Sequence, residues 1–410
     1  MTLEMETGVR TTAESLARWA VDAVPTPADV ELAQIALIDT VAVAMAGADH
    51  PLTRLVAGLS PAARWSAQAH VLDYDDLHLP STTHISTVCV PAAAAVGGDA
   101  RAYLAGAGVM ARLGAALGWD HYSRGWHATS TTAPMAAATV AAVAMGLDAE
   151  RTATAIALAV SSAGGVQRAF GSDGKAIQVG LAVDAGIRAA RLAAAGASAD
   201  LRAVDAWLDL VSVPPYDLAL DAAEMVPGGL AVKVYPCCYA LQRPIACAAE
   251  IARDLDPAGV DRIEIWLTES AVQPLVHHRP TSGLEAKFCL EHALAVGVVD
   301  GFAGFDSFSD ASVHRPEVAR LTRAVTVHLA PGGNGLLEDV VRVALVTTDG
   351  TTHTGEIDIP PGAPGRPVTR DQLAQKVRDC VGDRTDTVLS AGWDDIAALF
   401  EGTTTQKDAS

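Results

Sequence analysis

Apolar positions along the first two hundred residues recur with the period of a helix. Residues 12 to 46 predict two helices. Thr12-Ala-Glu-Ser-Leu-Ala-Arg-Trp-Ala-Val is amphipathic, and Thr26-Pro27 places a capping residue before a proline at the first helical position. In the second helix Ile35, Leu37, Ile38, Val41 and Val43 stand among alanines, so it is apolar around most of its circumference and should be buried. The helical pattern continues from 100 to 200, with Gly146-Leu-Asp148 as a stop and restart and Ala153 to Ala163 as a further buried helix. Val166 to Gly174 breaks the period with two glycines.

Near residue 212 the pattern changes. Pro214-Pro215 and Pro227-Gly228-Gly229 punctuate the chain, and period-two alternation begins in Arg262-Ile-Glu-Ile-Trp-Leu and Val325-Thr-Val-His-Leu. Val340 to Asp358 carries Asp349-Gly350 between two alternating runs, a strong hairpin signal. From Thr369 the helical pattern returns. The expectation is a mainly α protein. Both chain ends, 1–230 and 369–410, form a large all-helical domain, and 231–368 forms a smaller α+β domain with an antiparallel sheet.

At 410 residues the chain is long enough for two cores, and with 5% aromatic residues those cores must be built from Ala, Val and Leu. The formal charge of −19, without a basic block, argues against nucleic acid as a partner. A small anionic substrate is still allowed if a local cationic pocket receives it. The six cysteines show no disulfide-framework spacing. The opening Met1-Thr-Leu-Glu-Met-Glu lacks a signal-peptide pattern, and no run reads as a membrane span. A soluble, cytoplasmic protein is expected.

Two polar clusters interrupt the apolar pattern. Residues 70 to 84 hold His70, Asp73, Asp75, Asp76, His78 and His84. Such a set can ligate a metal, hydrogen-bond a loop between helices, or do acid–base work without metal. The second cluster, from Gly125 to Gly180, runs from Gly-Trp-His-Ala-Thr-Ser to Gly171-Ser-Asp-Gly-Lys175, with an alanine-rich helix between. Lys175, between a glycine loop and an apolar run, is read as pointing into a cleft rather than into solvent.

Three stretches together resemble the MmgE/PrpD superfamily of 2-methylcitrate dehydratase, cis-aconitate decarboxylase and iminodisuccinate epimerase. His70-Val-Leu-Asp-Tyr-Asp-Asp-Leu-His-Leu-Pro-Ser-Thr-Thr-His is similar to its H-x-L-D-F-D-D-T-H-x-P-x-x-T-H signature. Gly125-Trp-His-Ala-Thr-Ser resembles G-F-H-P-T-G, Val232-Lys-Val-Tyr-Pro-Cys-Cys resembles K-x-Y-P-C-C, and Leu284-Glu-Ala-Lys-Phe is a weaker fourth match. The resemblance implies that the α+β domain is a lid over a cleft, that the protein is a homodimer, and that it uses no metal or other cofactor. It also implies chemistry at a carbon beside a carboxylate. Asp73, His84, His127, Lys175 and Lys233 fall on the family's pocket positions. His127 is expected to be base or acid with His84 as partner, Asp73 to orient His84, and the lysines to hold substrate carboxylates. Thr129, Ser130, Gln178, Leu77, Tyr239, Gln242 and Arg168 are expected around the substrate.

The chain also departs from the family. Gln178 and Gln242 stand where histidine is usual, Tyr239 where arginine is, His292 where tyrosine is, and Leu77 where threonine is. A substrate with one or two carboxylates is therefore expected rather than 2-methylcitrate, with Lys175, Lys233 and Arg168 or Arg243 as cations. Cys237 and Cys238 read as small buried hydrophobes, and His277-His278 as a cap on a lid loop. The alternatives are a metal-dependent hydrolase or oxygenase using the Asp73–His84 cluster, and a non-catalytic binding protein on the same fold.

Overall fold

The computed structural model describes residues 10–402, so the opening Met1–Glu6 pattern and residues 403–410 lie outside the described residues. Thr11 and Glu14 form a capping box at the start of the helix Thr12–Asp22, and Thr26 and Asp29 form another before Pro27–Gly47. The second helix is long and apolar enough to cross a membrane, yet 67% of that apolar window is buried inside the protein. It also carries Asp39, paired with Lys376, and is therefore a core helix.

Pro61–His70, Ser86–Val96, Ala100–Ser123, Ala128–Ala144, Ala149–Ala159 and Asp173–Ala194 pack with it around the first core. Alanine and glycine let these helices approach closely. A Cβ on Gly186 would stand 2.2 Å from the carbonyl of Pro134, so Asp173–Ala194 lies in backbone contact with Ala128–Ala144. This matters for the site, because one helix starts after His127 and the other carries Lys175 and Gln178 in its first two turns. The chain's tail joins the same core. Leu373, Val377, Val388, Ile396 and Phe400 are buried in it, and Phe400 stacks on Trp65 at 5.2 Å.

A second core gathers residues 235–345 around a four-stranded sheet. Its strands are β1 Val260–Thr268, β2 Val325–Ala330, β3 Val341–Thr347 and β4 Thr352–Ile357, in the order β2-β1-β3-β4. β3 and β4 pair antiparallel across Asp349-Gly350, with Val341 opposite Ile357, and β1 pairs antiparallel with β3. β2 is the exception to the antiparallel expectation, running parallel to β1 with Ile263 opposite Val325. Between those two strands lie the helices Leu290–Asp300 and Pro316–Arg323. A helical crossover returns the chain to the end where it started, which gives parallel pairing.

Contacts between the two parts converge near one place. Leu77 pairs with Ala231, and the β2–β3 loop sends Leu336 against Tyr122 and Ala128 of the helical part.

Candidate active site

After His70 ends its helix, the chain turns through an irregular loop whose polar side chains are mostly buried. Buried polar groups need partners, and several of them serve only to shape the loop. Leu77 and Ala231 exchange backbone hydrogen bonds of 3.0 and 2.8 Å. The His78 ring sits between Ser81 Oγ at 2.6 Å and the Pro227 carbonyl at 2.7 Å. Asp76 accepts from the Ser86 amide at 3.1 Å and from its hydroxyl, and burial pushes its carboxyl up to about 7.

The other two carboxylates are charged. Burial opposes the charge on Asp73, but Lys175 at 2.8 Å and Lys233 at 3.0 Å converge on its Oδ1 and hold it far below the usual carboxylate range. Burial also opposes the charge on Asp75, which His70 and His84 keep low. Their Nδ1 atoms lie 2.7 and 3.1 Å from Asp75 Oδ2, the second contact close but poorly aligned. The expectation that Asp73 orients His84 is thus corrected. Asp73 Oδ1 is 3.9 Å from His84 Nε2 and anchors lysines, while Asp75 serves both histidines.

These contacts assign the protons. An ionised carboxylate only accepts, so His70 and His84 carry hydrogen on Nδ1 and present a bare Nε2. In His70 that Nε2 accepts from Lys175 Nζ at 2.9 Å. In His127 the assignment reverses. Gln178 Oε1 accepts from the Val166 amide at 3.2 Å, so its NH2 faces His127 Nδ1, 2.6 Å away. His127 Nδ1 is then the acceptor, and its Nε2 carries the hydrogen, buried and without a partner. Burial keeps all three rings neutral, with His84 lowered to about 3 and His127 well below its ordinary value.

Asp73, Thr82, His84, His127 and Lys175 line a cavity with Leu77, Tyr122, Phe170, Cys238, Tyr239, Phe288 and Leu336. It encloses about 20 Å³, room for roughly one water. Tyr239 Oη and Asp73 Oδ2 are also buried without a partner. A wider groove of about 500 Å³ lies outside Tyr74, but its lining contains neither histidine nor lysine.

The remaining expected residues fall elsewhere. Lys233 is fully buried behind Asp73, donating also to its carbonyl at 2.8 Å, and does not line the cavity. Thr129 Oγ1 accepts from the His84 amide at 3.0 Å, and Ser130 Oγ donates to the Gln178 carbonyl at 3.2 Å, so both act on the site's frame. Gln242 bonds the backbone of Val234 and Tyr235. Arg168 is exposed, away from the cavity lining. Arg243 is buried, and its guanidinium donates to carbonyls of the β2–β3 loop, at 3.1 Å to Leu336, 3.3 Å to Leu337 and 2.5 Å to Asp339. Sequence reasoning missed Asp75 as the shared acceptor, although it stands in the quoted motif. It also missed Leu336, which no motif marks.

Among the described residues, His70, Asp75 and His84 bring possible metal-ligand atoms within 4.8 Å of one another. Those atoms already face each other as donors and acceptor, and an ammonium is 2.9 Å from His70 Nε2. A dication would have to displace the Nδ1 protons beside two lysines.

Fold and site define a mainly helical protein in which a buried histidine, lysine and aspartate cluster lies where two cores meet. The MmgE/PrpD N-terminal domain matches residues 59–207 and the MmgE/PrpD C-terminal domain matches residues 235–399. The chain belongs to the MmgE/PrpD family. It is 24% identical over 343 residues to cis-aconitate decarboxylase of Mus musculus, covering 75% of this chain and 69% of that protein. With cis-aconitate decarboxylase of Homo sapiens it is 24% identical over 294 residues, covering 67% of this chain and 59% of that protein.

Proposed function

We propose that the cavity is the active site of a cofactor-independent lyase or isomerase, working by acid–base chemistry at a carbon beside the carboxylate of a small metabolite. The observation that carries this reading is that His84 and His127 line one cavity with different groups at Nδ1, Asp75 Oδ2 at 3.1 Å and Gln178 Nε2 at 2.6 Å, an arrangement that favours a bare Nε2 on one ring and an Nε2–H on the other. A base and an acid are the two groups such a reaction needs.

In this reading Lys175 and the Tyr239 hydroxyl receive the carboxylate. His84 takes the proton from the neighbouring carbon, and Lys175 stabilises the charge that moves onto the carboxylate oxygens. His127 then donates, to a departing hydroxyl in a dehydration or to carbon in an epimerisation. In a decarboxylation no C–H proton is removed; the carbon keeps the electron pair of the broken C–C bond as carbon dioxide leaves, and His127 protonates that carbon. Asp73 Oδ2, an acceptor that stays ionised, suits a substrate hydroxyl. Membership of the family and the two decarboxylase relatives support chemistry of this kind on carboxylates. The same reading includes a cytoplasmic homodimer closed by a lid, which light scattering tests for its oligomeric part.

The test is incubation of purified protein with a panel of small hydroxy and unsaturated acids in D2O, followed by proton NMR. Enzyme-dependent loss or exchange of the hydrogen beside a carboxylate is expected for at least one acid, and to disappear in His84→Ala. Turnover unaffected by His84→Ala and His127→Ala would overturn the reading. A metal-dependent hydrolase is the second reading, on the proximity of His70, Asp75 and His84. Stoichiometric metal in active protein, lost together with activity on chelation, would favour it.

A further inference from the structure

Lys376 lies on the helix Arg370–Val381 near the end of the chain, yet its side chain ends beneath the acidic loop. Its Nζ donates to the carbonyl of Tyr74 at 2.8 Å, 302 positions away in sequence. The same ammonium stands 2.6 Å from Asp39 Oδ1 and 4.0 Å from the centre of the Tyr74 ring. Asp39 and Lys376 are both buried.

The carbonyl it holds is in a particular place. Asp73, just before it, has φ 51°, a left-handed conformation that is costly for a residue with a side chain and persists only when its surroundings impose it. Lys233 holds the Asp73 carbonyl at 2.8 Å, and Lys376 holds the next one. The Tyr74 hydroxyl donates to the Val234 carbonyl at 3.0 Å, tying the same residue to the chain beside Lys233. Two ammoniums therefore fix two successive peptides. Asp73, which gathers Lys175 and Lys233, lies on one side of Tyr74, and Asp75, which meets both histidines, lies on the other.

Fastening the tail to the helix Pro27–Gly47 does not by itself call for charge. Well-packed apolar residues in place of a buried ion pair are often neutral or stabilising, and Leu373 and Val377 on the same helix already supply apolar contact. What an apolar side chain could not do is donate to the Tyr74 carbonyl. We propose that Lys376 is a positioning residue of the acid–base site. It holds the Tyr74 peptide so that Asp73 and Asp75 face their separate partners, and Asp39 compensates its charge. The activity arm of this inference rests on the function proposed above, and the structural arm does not.

The test uses the full chain and the double variant Asp39→Asn/Lys376→Met, which removes the donor without stranding a buried charge. Asp39→Leu/Lys376→Met, which likewise has no donor at position 376 and no stranded charge, stands in if the first does not fold. Leu373→Ala on the same helix is the control for loss of packing. The first readout is nitrogen-edited NMR of the histidine rings. In a folded double variant the Nδ1–H signals of His70 and His84 should move upfield or vanish by exchange with water, and in Leu373→Ala they should persist. The second readout is turnover, expected to fall roughly 10²-fold, the scale of a misplaced catalytic group. Unchanged histidine signals in the folded double variant, or the same change in Leu373→Ala, would overturn the proposal. If the wild type turns over no carboxylate, the proposed reaction fails while the NMR arm still decides the role of Lys376.

Discussion

Gln178 Nε2 stands 2.6 Å from His127 Nδ1 while the same amide's Oε1 accepts from Val166, so the glutamine dictates which ring nitrogen of His127 carries hydrogen. A histidine at position 178 could face His127 as donor or as acceptor. A glutamine with its carbonyl already engaged cannot. His127→Ala should lower kcat by roughly 10²-fold, the usual scale for a general acid. Gln178→Leu keeps the imidazole but frees its tautomer, and should lose a smaller part of the rate. Steady-state kinetics on the two variants, with circular dichroism to check folding, decides the matter. Wild-type kcat in Gln178→Leu would show that the amide does not set the proton's place.

The features legible in the sequence were local ones. Thr26-Pro27 and Asp349-Gly350 announce a cap and a hairpin because a few neighbouring residues determine both. The direction of β2 depends on the crossover before it, which alternation in Val325 to Leu329 does not encode. The motifs led to Asp73, His84, His127 and Lys175, which the fold brings around one cavity. They could not separate the duties of Asp73 and Asp75, two carboxylates of the same type two positions apart. The partners that distinguish them arrive from Lys175 and Lys233, more than a hundred positions away. Arg168 and Arg243 were equal candidates as cations until the fold left one in solvent and closed the other inside a ring of carbonyls.

Lys233 should matter first to stability. It is fully buried and donates to both the carbonyl and Oδ1 of Asp73, at 2.8 and 3.0 Å. Burial disfavours its charge, and Asp73 and Asp75 together outweigh that and raise its pKa. Removing one partner of a buried pair commonly costs about 3–5 kcal/mol, because the other charge is left uncompensated. Lys233→Met should therefore lose stability toward that scale in denaturant unfolding, and Lys233→Met/Asp73→Asn should lose more, because Asn at position 73 leaves the buried Lys175 ammonium without its carboxylate. Lys233→Met as stable as the wild type would contradict the arrangement.

Acid should destabilise the fold well above the carboxylate range. Burial lowers the pKa of His70 and His127, brings His84 to about 3, and brings His78 and His121 to about 4, against an ordinary value of 6.5. Below pH 6.5 the unfolded chain binds protons that the folded chain refuses. The stability these rings contribute is thus present above 6.5 and is lost as pH falls toward their folded values, by up to about 1.4 kcal/mol per pH unit for each ring. Asp76 works in the opposite sense, since burial raises it to about 7 and its contribution grows as pH falls from 7 to 4. Asp39, also raised by burial, works with Asp76, and burial lowers His50 and His292 as well, so among the described residues two carboxylates stand against seven histidines. Asp73 and Asp75 are held low and lose their contributions only at more acid pH. Calorimetry should show Tm falling from pH 7 to 5, with a shallower fall in His121→Gln, whose ring bonds Val211 and Thr131 away from the cavity. A Tm that is flat or rises over that interval would refute the assignment of neutral rings.

The last prediction concerns what the cavity accepts. A tricarboxylate needs several cations, and an unpaired carboxylate in a closed cavity costs several kcal/mol. Lys175 is the cation lining this cavity, and it already contacts Asp73 and His70. Lys233 reaches the cavity only through Asp73, and Arg168 is exposed. Arg243 is engaged by the loop that carries Leu336, so its donors face carbonyls rather than substrate. The lining also holds Leu77, Tyr122 and Leu336, which suit an uncharged remainder. About 20 Å³ admits no organic acid, so entry requires part of the lining to move, and the loop carrying Leu336 is the element we propose. The preferred substrate should carry one carboxylate near the reacting carbon, and Leu336→Ala should raise kcat/KM for bulkier members of that class. Assays against matched mono-, di- and tricarboxylates decide it. Turnover of citrate, 2-methylcitrate or cis-aconitate at about 10⁴ M⁻¹s⁻¹ or above, on the general enzyme scale, would mean that Arg243 or Lys233 leaves its present partners to meet the substrate, and that the cations read here do not set specificity.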